Sequence, residues 1–156
     1  MKTQFEIAIV AALVVSPAAA LANPSQVALV GEVKLEKTIS EDGKTRVELL
    51  EPKVVVPGDR LLFTTRYNNR GSQAASNFVV TNPLPAAVVL SHDAAEGYVV
   101  SVDGGKTWGP LATAKLPDGK GGLRPATASD VTHLRWTVAS IAPGASGMVR
   151  YHAIVR

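Results

Sequence analysis

Past its first two dozen positions, the chain has no window of about a dozen residues in which apolar side chains recur at i, i+3 and i+4. Without that rhythm no amphipathic helix has a face to bury. The apolar residues instead fall two apart. Val27, Leu29, Val33 and Leu35 share one parity while Lys34 and Glu36 take the other, the period of a half-buried strand. The same alternation runs through Leu61, Phe63, Thr65 and Tyr67, through Leu134, Trp136 and Val138, and through Val149, Tyr151, Ala153 and Val155. Shorter apolar pieces at Phe78 to Val80, Val88 to Leu90 and Tyr98 to Val102 continue the series.

Turn residues punctuate these runs. Asp42-Gly43, Pro57-Gly58-Asp59, Asn68-Asn69-Arg70-Gly71-Ser72, Asn82-Pro83-Leu84-Pro85 and Pro143-Gly144 all supply the torsions that reverse a chain. The stretch from about Gly109 to Ser129 is rich in Gly, Pro and Ala and predicts the longest loop. Many short strands with Gly/Pro turns between them predict an all-β fold, an immunoglobulin-like antiparallel β-sandwich.

The first residues follow a different pattern. Lys2 supplies charge, Ile7 to Val15 form an apolar run, Ser16-Pro17 break it, and Ala20-Leu21-Ala22 offers small residues at a cleavage site. This predicts a signal peptide over residues 1–22 and one sandwich domain over residues 23–156, exported to the periplasm, the cell surface or the medium. The apolar run is about half of the roughly 20 residues a helix needs to cross a bilayer, so no transmembrane segment is expected after cleavage. The chain has no cysteine, which excludes disulfides and thiolate metal sites. Its stability must come from the core.

The net charge is +3. Lys34, Lys37, Lys44, Arg46, Lys53, Arg60 and Arg66 are interleaved with Glu32, Glu36, Glu41, Asp42, Glu48, Glu51 and Asp59. No basic block forms, so no nucleic-acid partner is expected.

One octapeptide has the look of chemistry. Ser101-Val102-Asp103-Gly104-Gly105-Lys106-Thr107-Trp108 has the spacing of the Asp-box, a hairpin motif of sialidases and other secreted glycan-active proteins. Each residue type has a structural use: Asp103 can accept from amides of its own turn, Gly104 and Gly105 can take positive φ, and Trp108 can fold over the hairpin. In sialidase-like propellers the motif recurs once per blade, away from the catalytic centre, whereas here it occurs once. Asp103, Gly104 and Gly105 are therefore read as a structural turn and Trp108 as the one candidate ligand-binding residue. Trp136, alternating with Leu134 and Val138, is read as core.

His92, His133 and His152 lie in separate segments without the H-x-H or H-E-x-x-H spacing that puts two nitrogens on one metal. His92-Asp93 has the form of a base and its orienting acid, but no G-x-S-x-G elbow supplies a nucleophile. Asp59, Asp93, Glu96, Asp103, Asp118 and Asp130 are loop acids of the type that bind calcium, without the D-x-D-x-D-G run. No catalytic residue, cofactor or metal is expected.

The turn motifs, taken in order, resemble a known family. Lys37-Thr38, Val56-Pro57-Gly58-Asp59, Tyr67-Asn68-Asn69-Arg70-Gly71, Val79-Val80-Thr81-Asn82-Pro83-Leu84-Pro85, and Leu134-Arg135-Trp136 followed by Ile141-Ala142-Pro143-Gly144 are similar to the bacterial conserved-repeat sandwich, the domain of unknown function numbered eleven. The resemblance covers about residues 33 to 156. It implies an immunoglobulin-like fold in surface and secreted proteins, with no established catalytic residues. This chain has Asn82 where the family usually has aspartate, and one copy where the family usually has many.

The expected function is that of an exported non-catalytic binding or structural module of the bacterial cell envelope or surface, with a protein or cell-surface partner, a second copy of the chain being one such partner. Two alternatives remain. The alternating strand from Val27 to Ile39 could join a neighbour's sheet by strand addition, making the chain an assembly subunit. The Trp108 hairpin could bind glycan.

Overall fold

The structure is a computed structural model that describes residues 26–93 and 97–156. The expected signal peptide, residues 23–25 and the candidate calcium ligand Glu96 lie outside the described residues.

The strands are β1 (Val27–Glu41), β2 (Lys44–Leu50), β3 (Arg60–Asn69), β4 (Ala75–Pro83), β5 (Val88–Leu90), β6 (Tyr98–Ser101), β7 (Lys115–Pro117), β8 (Leu123–Pro125), β9 (His133–Ile141) and β10 (Ser146–Val155). Five form the larger sheet in the order β2-β1-β3-β10-β5, three form the smaller sheet in the order β4-β9-β6, and β7 and β8 make a separate ribbon. Every pairing is antiparallel. The all-β expectation holds.

The two sheets face each other across one apolar core. Leu35, Leu61, Val88, Leu90, Tyr151 and Ala153 enter it from the larger sheet, Val100, Leu134 and Trp136 from the smaller, and Leu84 and Val131 from connections. An aromatic column ties the layers together. Phe63 and Tyr151 stack at 4.7 Å, Trp136 lies 6.1 Å from Tyr151, and Tyr98 lies 5.8 Å from Trp136. Desolvation in this column pushes the Tyr151 phenol well above its usual range, and Tyr98 moves the same way for the same reason.

Two asparagines lock the layers with directional bonds. Asn69, fully buried, donates through Nδ2 to the Gln73 carbonyl at 2.7 Å and the Ile141 carbonyl at 2.8 Å, and accepts from the Gly71 amide at 3.0 Å. It thereby joins the end of β3 to the end of β9. Asn82 on β4 donates to the Thr65 hydroxyl on β3 at 2.8 Å and so bridges the sheets.

The strand parities match the sequence, but the burial does not follow parity everywhere. The half-buried alternation expected for β1 is not seen in its burial: Leu29, Val30 and Gly31 are all exposed, and of the same-parity pair Leu35 is buried while Leu29 is 48% exposed. The smaller sheet does not cover the first half of β1. β3 departs in the opposite sense, because Leu62 and Thr64 are buried on the outward face. β3 lies at the centre of the larger sheet, and the long side chains of Arg150 and His152 shield Leu62 there.

The region from Gly109 to Ser129 is more structured than its composition predicts. It contains two short 3-10 turns, Leu111–Thr113 and Ala128–Asp130, and the β7–β8 ribbon. Asp118 accepts from the amides of Lys120 and Gly122 to close the ribbon turn, and Arg124 pairs with Asp130 at 2.7 Å. The Thr127 and Asp130 side chains cap the last turn reciprocally. Sequence reading saw Gly and Pro there and missed these side-chain closures.

Candidate functional site

The Asp-box octapeptide forms the loop of a hairpin whose base is the reciprocal pair of backbone bonds between Val100 and Gly109, 2.9 and 3.1 Å long. Asp103 sits at its centre. Its Oδ1 accepts from the Ser101 hydroxyl at 2.7 Å, the Thr107 amide at 2.9 Å and the Lys106 amide at 3.1 Å, and its Oδ2 accepts from the Thr107 hydroxyl at 2.6 Å. The Thr107 bonds, with help from Ser101 and Lys106, hold this carboxyl far below the ordinary carboxylate range. Ser101 Oγ accepts in turn from the Gly105 amide at 2.8 Å. Gly104 and Gly105 take φ of 77° and 88°, the left-handed region where a side chain is strained.

Trp108 closes the loop. Its Nε1 donates to the Gly105 carbonyl at 3.0 Å, and the Arg135 guanidinium lies over the ring, 3.6 Å from its centroid. His133 meets the indole edge-on at 6.2 Å. The ring is half-buried, and its donor and part of its surface are engaged within the chain. Arg135 is the member of this group that sequence reading overlooked. Its position between the core residues Leu134 and Trp136 already fixed it on the outward face of β9, beside His133.

The other candidates are dispersed. Asp93 pairs with Arg60, 2.5 Å to Nη2, and accepts from the Ser91 hydroxyl at 2.5 Å; those bonds hold its carboxyl far below the usual range. It therefore orients Arg60, and its neighbour His92 is exposed. Asp59 accepts from Lys37 at 2.5 Å and from the Val56 amide at 2.9 Å, and is shifted down by both. Asp118 and Asp130 belong to the ribbon described above. His152 lies 3.0 Å from Glu36 on the outer face of the larger sheet, and His133 Nδ1 lies 3.0 Å from the Thr132 hydroxyl. Among the described residues no three His, Cys, Asp or Glu side chains converge on a metal-sized site. None of the helices among them is long and apolar enough to cross a membrane.

A second feature, invisible to motif search, lies along β1. β2 pairs with β1 only from Leu35 to Glu41, so the stretch Val27 to Lys34 is bonded to β3 on one side and open on the other among the described residues. The Gln26 carbonyl accepts from the Arg70 amide at 2.8 Å. By the alternation of an antiparallel ladder, the even residues of β1 turn their backbone groups to β3, and Val27, Leu29, Gly31 and Val33 turn theirs to the open edge. Beside it, on the outer face, Ala28, Val30, Arg66, Asn68, Arg70 and Met148 line a groove of about 330 Å³.

Comparison with protein-family models, with curated proteins and with solved structures gives no match.

Proposed function

We propose that the chain is an exported, non-catalytic module of the bacterial cell envelope or surface, an immunoglobulin-like sandwich that works by binding protein along its larger sheet. The observation that carries this reading is where apolar surface is left in water. Of the eleven large apolar residues that are exposed among the described residues, eight lie between Leu29 and Val56: Leu29 and Val30 on β1, Val47, Leu49 and Leu50 on β2, and Val54 to Val56 after it. Scattered exposed residues need no explanation, but Val30, Val47 and Leu49 stand on one outer face at the β1–β2 edge, where Val47 pairs with Thr38 and Leu49 with Glu36, and apolar side chains gathered on one face mark an interaction surface. The leader-like segment at residues 1–22 supports export, and the ordered series of turn motifs supports the family resemblance.

The reading is tested by expressing the full chain in a bacterial host and fractionating the cells. The expected result is a protein shortened to start near Asn23, recovered with the envelope, whose retention falls when Val47 and Leu49 are both replaced by aspartate. Recovery of the uncleaved chain from the cytoplasm, or retention that ignores the double substitution, would remove it.

A further inference from the structure

The geometry of the open β1 edge points to one occupant, and we infer that it is the same edge of a second copy, forming a closed two-fold dimer with one continuous sheet. This inference rests on the reading of the chain as a protein-binding module and names the partner.

The backbone alone selects the register. Four residues, Val27, Leu29, Gly31 and Val33, present an outward N–H and C=O each. An antiparallel copy placed so that Val30 faces the partner's Val30 pairs Val27 with the partner's Val33 and Leu29 with the partner's Gly31, and the reverse pairs follow by symmetry. Every outward group is then satisfied, and a shift by two residues leaves some unpaired. A shift by one sets outward residues against inward ones.

The side chains agree with that register. Leu29, 48% exposed, comes to lie over the partner's Gly31, where no atom stands within 4 Å of the position a Cβ would take. Val30, 59% exposed, meets its own copy on the axis. Glu32 of each copy falls opposite the partner's Ala28, at the rim of the groove lined by Arg66 and Arg70. Within its own chain Glu32 already lies 3.2 Å from Lys34 and 3.7 Å from Arg66, so the register brings this acid toward the partner's basic groove without setting like charges opposite each other. The edge carries no proline from Val27 to Lys34, and its two charges, Glu32 and Lys34, come only after the uncharged run Val27 to Gly31, which leaves that run without the devices that blunt exposed edges.

The register also sets a limit. Gln26 of one copy falls opposite the partner's Lys34, the last residue before the partner's Leu35 takes up its own pairing with Leu50, so the shared ladder ends there. The assembly closes at two copies, whereas head-to-tail strand addition would continue into a fibre. An eight-residue edge is a small contact beside the roughly 1,600 Å² of a standard interface, so association in the micromolar range is expected.

Because the chain has no cysteine, a single Val30→Cys change is a clean probe. Directly opposed residues of a non-hydrogen-bonded pair sit about 4.5 Å apart at Cα, within disulfide range. Under oxidised glutathione the purified V30C protein should cross-link to a dimer, the equally exposed V47C should not, and Val30→Lys should sediment as a monomer with an unchanged melting temperature. Cross-linking of V47C in place of V30C, or a wild type that sediments as a monomer at high micromolar concentration, overturns the dimer. A monomer that is still exported and retained on the envelope refutes this inference and leaves the module reading standing; a dimer that stays in the cytoplasm does the reverse.

Discussion

Asn69 is the residue on which the two layers most depend. Its side chain is fully enclosed and satisfies two carbonyls from different segments, so Asn69→Leu, close in size, leaves both carbonyls without a donor. A loss of about 1–3 kcal/mol per stranded group is the general scale, and the expected result is a marked fall in the urea midpoint with little change in slope. Asp103 is the residue on which the hairpin depends. Its carboxyl is depressed in the folded state, so its contribution is present above the unfolded value of about 3.9 and fades as pH falls toward the folded one. In Asp103→Asn that part of the acid dependence disappears: the drop in melting temperature between about pH 5 and about pH 2 should be smaller than in the wild type. Equal drops would show that the carboxylate does not couple to folding. The Asp-box residues were legible from the sequence because the bonds to Asp103, Ser101 and the Trp108 indole all stay within eight positions, whereas the bond from the Gly104 amide to the Thr132 hydroxyl at 3.1 Å was not. Asn69 was legible only as a turn residue, since Gln73 is near but Ile141 is far along the chain.

Strand parity was readable from alternation alone, and β3, β9 and β10 follow it. Exposure was not readable, because it depends on which strand lies next to which and on how far the opposite sheet reaches. Leu29 and Leu35 have the same parity and opposite fates for that reason. The edge of β1 is a product of pairing, and no local signal announces it. Beyond Glu36, β1 leaves β3 and continues with β2 as a two-stranded arm, a form that has little stability by itself. Asp42 and Gly43 close it with φ of 50° and 73°, the two positive torsions of a type I′ turn. Gly43→Val places a β-branched residue in the left-handed region, at a cost of about 1–2 kcal/mol. Amide exchange at Ile39 and Arg46 should then quicken about tenfold or more, while exchange in β9 stays as it was and Gly43→Asn has little effect. Parallel acceleration in β9 would mean that the arm and the sandwich unfold as one unit.

The whole molecule holds together without a covalent cross-link, so its core carries the stability. Leu134 is completely enclosed between the sheets, and Leu134→Ala should cost about 2–5 kcal/mol, read as a lower denaturant midpoint with near-ultraviolet circular dichroism lost in the same transition; a shift under about half a kcal/mol would place the stability outside this core. The aromatic column supplies that signal, since Tyr98, Trp136, Tyr151 and Phe63 span both layers. The order of strands has a mechanical consequence. β1 and β10 flank β3, and both run antiparallel to it, so they point the same way and their outer ends, Val27 and Val155, lie at opposite poles of the sheet. Tension applied through the two ends of the domain therefore loads both ladders in shear along their length, and the bonds must break together rather than unzip one by one. A module held at one end and pulled at the other would resist as a clamp.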